Sequence, residues 1–250
     1  MSEIAIRLAE SPADYRACQT AQRAAWGIVE DGYVVPVATM VGAQLHGGLV
    51  LGAFLPDGRA AGLSFAFLGQ TEHGRMCLYS QLTGVIPGYQ AHGIGGKLKR
   101  LQWEIARSRG IALLCWSFDP LQAGNARFNL DKLGATSNRY VIDMYGPRTD
   151  ALNSGTSTDR LIVEWETQPV DPPHPITDEL RIEIPASITD LRQTDPIAAE
   201  RIQQDVRHSF QEAFAQGYRA QGFQRDNASG TLRCYYQLQR RSISDSPVNW

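Results

Sequence analysis

Apolar and polar residues alternate over Ile4, Ile6 and Leu8, the period-two pattern of a half-buried strand. Ser11 and Pro12 then offer a cap and a first helical residue, with Asp14 in the first turn. Gly27 ends the predicted helix after Trp26. Val37, Met40, Val41 and Gln44 recur at helical spacing within 36–45, and Gly47-Gly48 closes that element. Residues 49–55 and 60–68 read as two strands joined by the tight turn Pro56-Asp57-Gly58, and 75–86 as a third strand. After a glycine-rich turn a long helix runs to about Arg109. Its apolar stripe is Ile94, Leu98, Leu101 and Ile105, which leaves Lys97, Lys99, Arg100 and Glu104 outside it.

Residues 111–118 (IALLCWSF) are apolar without alternation, as in a strand covered by helices on both faces. A short helix is predicted over 124–133, stopped by Gly134, and two more strands over 139–145 and 161–165. This order predicts an α/β (α+β) domain, a mixed central sheet flanked by helices, spanning 1–168. Four of the 13 prolines fall within 169–176, so 169–178 reads as a stiff linker. The remaining residues, 179–250, form a small βαββ extension: a strand at 180–184, a helix with Ile202, Val206, Phe210, Ala213 and Phe214 on one face, and a hairpin turning at Asn227–Gly230. Such a unit buries too little apolar surface to stand alone. It is expected to pack on the first domain or on a second copy of the chain, as in a homodimer.

Composition removes several classes. The 250 residues carry 24 Lys+Arg against 26 Asp+Glu, a net charge of -2, with no basic stripe for a nucleic acid. Cys18, Cys77, Cys115 and Cys234 are scattered, with neither a CxxC pair nor zinc-finger spacing. Buried reduced thiols in a cytoplasmic protein are the expectation. The five histidines lack HxxxH or HExxH spacing, so no metal is expected, and no GxSxG elbow is present. No apolar run approaches the ~20 residues of a membrane span, and the first ten residues lack the apolar core of a signal peptide.

The chemistry concentrates at the junction between the strand at 75–86 and the long helix. Gly93, Gly95 and Gly96 lie in the first helical turn, where each glycine costs about 1 kcal/mol, so a compensating use is expected. Free amides at a helix N-terminus attract anions, and glycines let a phosphate come close. Ala91 and Leu98 break the Walker pattern, and Leu98 breaks the dinucleotide fingerprint as well.

Gln90-Ala91-His92-Gly93-Ile94-Gly95 does match Q/R-x-x-G-x-G/A, preceded by Val85, Pro87 and Tyr89 as V-x-P-x-Y. With the strand–helix–helix start, this resembles the acyl-CoA-binding motif of the GNAT superfamily of N-acyltransferases over about residues 4–166. Asn125 to Asn129, Asn153-Ser154-Gly155 and Thr158-Asp159-Arg160 look like a GNAT subfamily with a C-terminal extension. The resemblance implies acetyl-CoA or another acyl-CoA as co-substrate. Backbone amides around His92, Gly93, Ile94, Gly95, Gly96 and Lys97 would cradle its pyrophosphate, next to Gln90. Val85 and Ile86 would pair with the pantetheine arm, and Asn125 would lie near that arm.

It also implies transfer of the acyl group to a primary amine, here expected to belong to a small molecule. The usual leaving-group tyrosine of a YxKxGF-like run is replaced, because Leu130 stands at that position. Asp119, just past the apolar strand, and Tyr145, at the end of a predicted strand, are therefore the candidate acid/base residues; Tyr79 reads as core. Arg160 and Asn153, in a polar loop, are candidate substrate residues, since an arginine fork suits a carboxylate. Two alternatives accompany this reading. One is an acyl-CoA-binding module without turnover. The other is an enzyme using a larger donor such as succinyl-CoA, with Arg160 reading the distal carboxylate.

Overall fold

Ser11 caps the first helix as its position predicts. Its hydroxyl accepts the Asp14 amide at 3.2 Å, while the Asp14 carboxylate accepts the Ser11 amide. The same carboxylate pairs with Arg7 of the preceding strand, and Gly27 ends the helix in the left-handed conformation. The computed structural model describes residues 4–146, 157–168, 176–227, 230 and 232–241. They divide into two compact units, one of residues 4–116 with 166–168, the other of 117–146, 157–165 and the described residues from 176 onward.

The first unit contains β1 (Ala5–Leu8), α1 (Pro12–Trp26), α2 (Val37–Leu45), β2 (Leu49–Phe54), β3 (Ala60–Gln70), β4 (Met76–Val85), α3 (Ile94–Ser108) and β5 (Leu113–Phe118) as far as Trp116. β1 to β4 pair antiparallel in chain order, and β5 runs parallel to β4. Successive side chains of β2 point to opposite faces. Val50 joins Tyr15, Cys18 and Met40 in the core under α1 and α2, while Leu51 joins Ile94 and Leu98 in the core under α3. The sheet is thus covered by helices on both faces, which explains the uniformly buried β2 and the apolar run of β5.

The second unit contains a short α4 (Ala123–Ala126), a wide helical turn (Arg127–Lys132), β6 (Thr136–Val141), β7 (Arg160–Glu166) through Trp165, β8 (Ile176–Ile184), α5 (Ile188–Thr194), α6 (Pro196–Ala215), β9 (Tyr218–Asp226) and β10 (Arg233–Arg241). The strands lie in the order β7-β6-β9-β10-β8, all neighbours antiparallel. Phe210 of α6 centres an aromatic core. It stacks on Tyr140 at 5.8 Å and meets the edge of Tyr236 at 4.9 Å. The Tyr236 hydroxyl, fully buried, donates to the Pro120 carbonyl at 2.6 Å.

Several elements differ from the sequence expectation. The extension is β-α-α-β-β: Ser187 and Asp195 each cap a separate helix, and Asp195 with Pro196 restarts what hydrophobic spacing alone reads as one helix. β8 begins at Ile176, inside the expected linker; residues 169–175 lie outside the described residues. β6 occupies 136–141 instead of 139–145. The compact units also do not follow the expected division at 169–178. Ser137 of β6 pairs with Ala220 of β9, so strands assigned by composition to the first domain pack with the C-terminal segment. That pairing joins positions 83 residues apart and leaves no mark on local composition.

All four cysteines are buried, as expected, and none is in a disulfide. Among the described residues no helix is long and apolar enough to cross a membrane, and no cluster of metal-ligating side chains is present.

Candidate functional site

The β4–α3 junction is a chain of tight turns. The Ile86 amide returns to Ala61, the Tyr89 amide bonds Ile86, and the His92 amide bonds Tyr89 through the short 3-10 turn Gln90–His92. The Gln90 side chain donates to the Val85 carbonyl at 3.3 Å, closing the loop. Gly93 has φ +68, a conformation strained for any residue with a side chain, and its carbonyl accepts the Lys97 amide that starts α3. The amides of Ile94, Gly95 and Gly96 have no carbonyl one turn earlier to bond.

Close packing does not account for Gly93 or Gly95. A Cβ on Gly93 would meet nothing within 4 Å, and one on Gly95 would make an ordinary 3.8 Å contact with Val85. The bare backbone opens outward, as a phosphate cradle requires. A cleft of about 520 Å³ adjoins it, lined by Ile4, Ile6, Gly93, Gly96 and Leu101, with the cations Lys97 and Arg100 nearer the turn and the carboxylate of Glu104 further along α3. His92 is exposed, with Nδ1 3.2 Å from the Tyr89 carbonyl. The residues present therefore suit the pyrophosphate of an acyl-CoA.

β4 also has the form that a pantetheine arm needs. Ser80 pairs with Ala66 and Leu82 with Phe65, so Gln81 is a bulge. On its other edge β4 pairs with β5 only at Leu78–Leu114 and Tyr79–Cys115, although it continues to Val85. The two parallel strands part after Tyr79 and Cys115, and the backbone of β4 from Ser80 to Val85 faces the wedge between them. Tyr79 packs against Phe67, a core position as expected.

One residue at this wedge escaped the sequence reading. Lys99, expected on the outside of α3, is 4% exposed. Its ammonium donates to Ser80 Oγ at 2.7 Å and lies 3.8 Å from the centre of the Trp116 ring. Burial pulls its pKa down to about 7. The helix is buried along a second row, Lys99, Gln102 and Ala106, as well as along the apolar stripe.

The remaining candidates belong to the second unit. Asp119 has both oxygens engaged, one by the Leu121 amide at 2.9 Å and the other by Arg192 at 3.2 Å, an arrangement that anchors the chain after β5. Asn125 is exposed on α4. Leu130, at the usual tyrosine position, is 2% exposed and serves as core. Tyr145 lies in the turn after β6, not at a strand end. Its amide donates to Thr158 Oγ1, and its hydroxyl is 2.8 Å from Ser117 Oγ.

The Arg160 guanidinium lies 5.3 Å from the centre of the Tyr145 ring. Arg160 opens β7 instead of lying in a loop, and it is buried, donating to the Asp159 carbonyl. Asp159 pairs with Arg207 of α6, not with its neighbour Arg160. Asn153 lies outside the described residues.

Neither a protein-family model nor a curated protein sequence matches the chain. Solved structures do. A Salmonella typhimurium protein assigned as an acetyltransferase, with its cofactor acetyl-CoA, superposes with a TM-score of 0.52 at 20% identity, over 69% of this chain and 98% of that one. The ribosomal-protein-S18-alanine N-acetyltransferase from Escherichia coli gives 0.51 at 18% identity, over 67% of this chain and 96% of that one. The NatC complex bound to Gag peptide and CoA gives 0.51 at 11% identity, over 66% and 98%. The chain therefore has the fold of the GNAT acetyltransferases, as the motif at 85–98 led us to expect.

Proposed function

We propose that the protein is an acyl-CoA-dependent N-acyltransferase that moves an acyl group, most simply acetyl, to a primary amine of a small molecule. The observation that carries this reading is the outward-opening glycine turn at Gly93 beside a β4 strand that parts from β5 after Tyr79. Residues 85–97 would hold the co-substrate, with the amides of Ile94, Gly95 and Gly96 on the pyrophosphate and Lys97 adding charge. Direct attack by an unprotonated amine on a thioester held in place draws most of its acceleration from proximity. Tyr145, 37% exposed and hydrogen-bonded to Ser117, is the hydroxyl we assign to proton transfer. The burial of Arg160 beneath Tyr145 favours orienting that ring over reading a donor carboxylate. The near-neutral net charge favours a small amine over a nucleic-acid-bound or histone-tail acceptor.

Calorimetric titration with acetyl-CoA tests the reading. Binding tighter than about millimolar is expected, and Gly93→Glu or Gly95→Glu should weaken it at least about tenfold by placing a carboxylate where the phosphate binds. Gly95→Glu is the cleaner control, because Gly93→Glu also strains the backbone. No binding by the wild type would overturn the reading. The buried Leu130 in place of a tyrosine favours a second one, an acyl-CoA-binding module without turnover. Release of free thiol that depends on an added amine excludes it.

A further inference from the structure

At the apex of the β4–β5 wedge lies a cation with no carboxylate beside it among the described residues. Ser80 and Trp116 are the residues that follow the last paired positions of the two strands, and the Lys99 ammonium touches both. Its surroundings are otherwise neutral. From α3 comes Gln102, whose Nε2 donates to Ser64 Oγ at 3.1 Å. Ser64 on β3 in turn lies 2.8 Å from Thr83 Oγ1 on β4. Gln102 Oε1 is a buried oxygen with no partner among the described residues. From β5 the neighbour is Trp116, and burial alone depresses the Lys99 pKa.

A desolvated ammonium is costly unless an anion approaches it. A leucine or methionine would fill this position of α3 equally well. The charge therefore calls for an anionic partner that arrives from outside the chain, and the Ser80 hydroxyl it holds lies where β4 ceases to pair with β5.

Resting on the acyl-CoA reading, we infer that Lys99 is a positioning residue for the sulfur of coenzyme A: through Ser80 it holds a hydroxyl donor and a positive charge at the apex of the wedge, where they recognise the thiolate at the end of a pantetheine arm. Such a charge replaces part of what the missing tyrosine at position 130 supplies elsewhere in the fold, because it stabilises the thiolate without touching it. Ammonium and thiolate favour each other's charged form. Bound thiolate raises the proton affinity of Lys99, and Lys99 lowers that of the thiol.

The test uses the full chain with lysine ε-carbons labelled, followed by NMR across pH in three states: free, with CoA, and with desulfo-CoA, which keeps the nucleotide and the arm but lacks the sulfur. The Lys99→Met variant assigns the signal. The free protein should titrate near pH 7. Desulfo-CoA should leave that midpoint in place, and CoA should raise the proton affinity by about tenfold or more. Calorimetry should show CoA binding tighter than desulfo-CoA in the wild type, by a margin that grows up to about pH 7, holds while a single proton serves the pair, and falls above about pH 8.5, where the free thiol ionises, with equal affinities in Lys99→Met. An equal midpoint with both ligands, or a free midpoint at the ordinary lysine value, overturns the inference and leaves the acyl-CoA reading intact. Absence of binding by either ligand overturns both.

Discussion

Lys99→Met is expected to stabilise the first unit at neutral pH, by on the order of 3 kcal/mol, and to lose that advantage in alkali. The sign follows from where the proton sits. Burial holds the folded pKa at about 7, whereas an unfolded lysine titrates near 10.4. Below pH 7 both states carry the proton, and the folded state bears the whole cost of an ammonium removed from water. Between about pH 7 and about pH 10 the unfolded chain keeps a proton that the folded state has released, so wild-type stability rises with pH. Methionine, similar in length and uncharged, has no such slope. Urea melts of both proteins near pH 6.5 and near pH 9 measure the difference, and a gap that does not change with pH would refute the argument. A variant that is more stable yet no longer tells CoA from desulfo-CoA marks the charge as kept for function.

Asp159→Ala should cost the second unit about 3–5 kcal/mol, because it removes the acceptor at the centre of a buried polar cluster. Asp159 is 2% exposed and receives the Tyr140 hydroxyl at 2.7 Å, the Arg207 guanidinium through Nε at 2.9 Å and Nη2 at 3.1 Å, the Ser157 hydroxyl, and the Asp143 amide. Alanine leaves all of these donors without their acceptor. Burial pushes the carboxyl pKa up, but Arg207, Tyr140 and the other donors outweigh it and hold the pKa below its usual value. The contribution is therefore fully present above about pH 4, the ordinary carboxylate range, and is lost as pH falls through the lower folded value. Thermal melts at pH 7 and pH 3 should show a large gap between wild type and Asp159→Ala at the first and a smaller one at the second. Arg207→Met should cost less, since the aspartate keeps its Tyr140, Ser157 and Asp143 donors.

These two residues also mark where local reading of the sequence fails. The stripe Ile94, Leu98, Leu101 and Ile105 correctly shows that α3 is amphipathic, but hydrophobic periodicity assigns Lys99 to the solvent side because it is polar, and leaves Gln102 unmarked. They form a second inward row, one residue on, that faces β4 and β5. The signal was their spacing with Ala106; polarity concealed it. Asp159 is bound by Arg207, 48 residues away, a partner that no local window of sequence shows. The strand predicted over 139–145 puts Tyr145 at its end. The chain instead turns at Asp143, at φ +45, where its carboxylate accepts both the amide and the hydroxyl of Thr158.

The sequence by itself determined the features whose physics is local: the Ser11 capping box, the Gly27 stop, the order of strands and helices through Phe118, and the glycine turn at 90–97 that needs Gly93 at positive φ. It also carried the expectation of the GNAT fold, since the glycine turn that suggests it is written in consecutive residues. Tertiary structure alone decided the rest. It parted β4 from β5 after Tyr79, bulged Gln81 out of register, paired β6 with β9 across 83 residues, and buried Lys99 against Ser80 and Trp116. Each of these depends on distant segments meeting, and the free energy of such meetings resides in desolvation and hydrogen bonds that no single window of sequence contains.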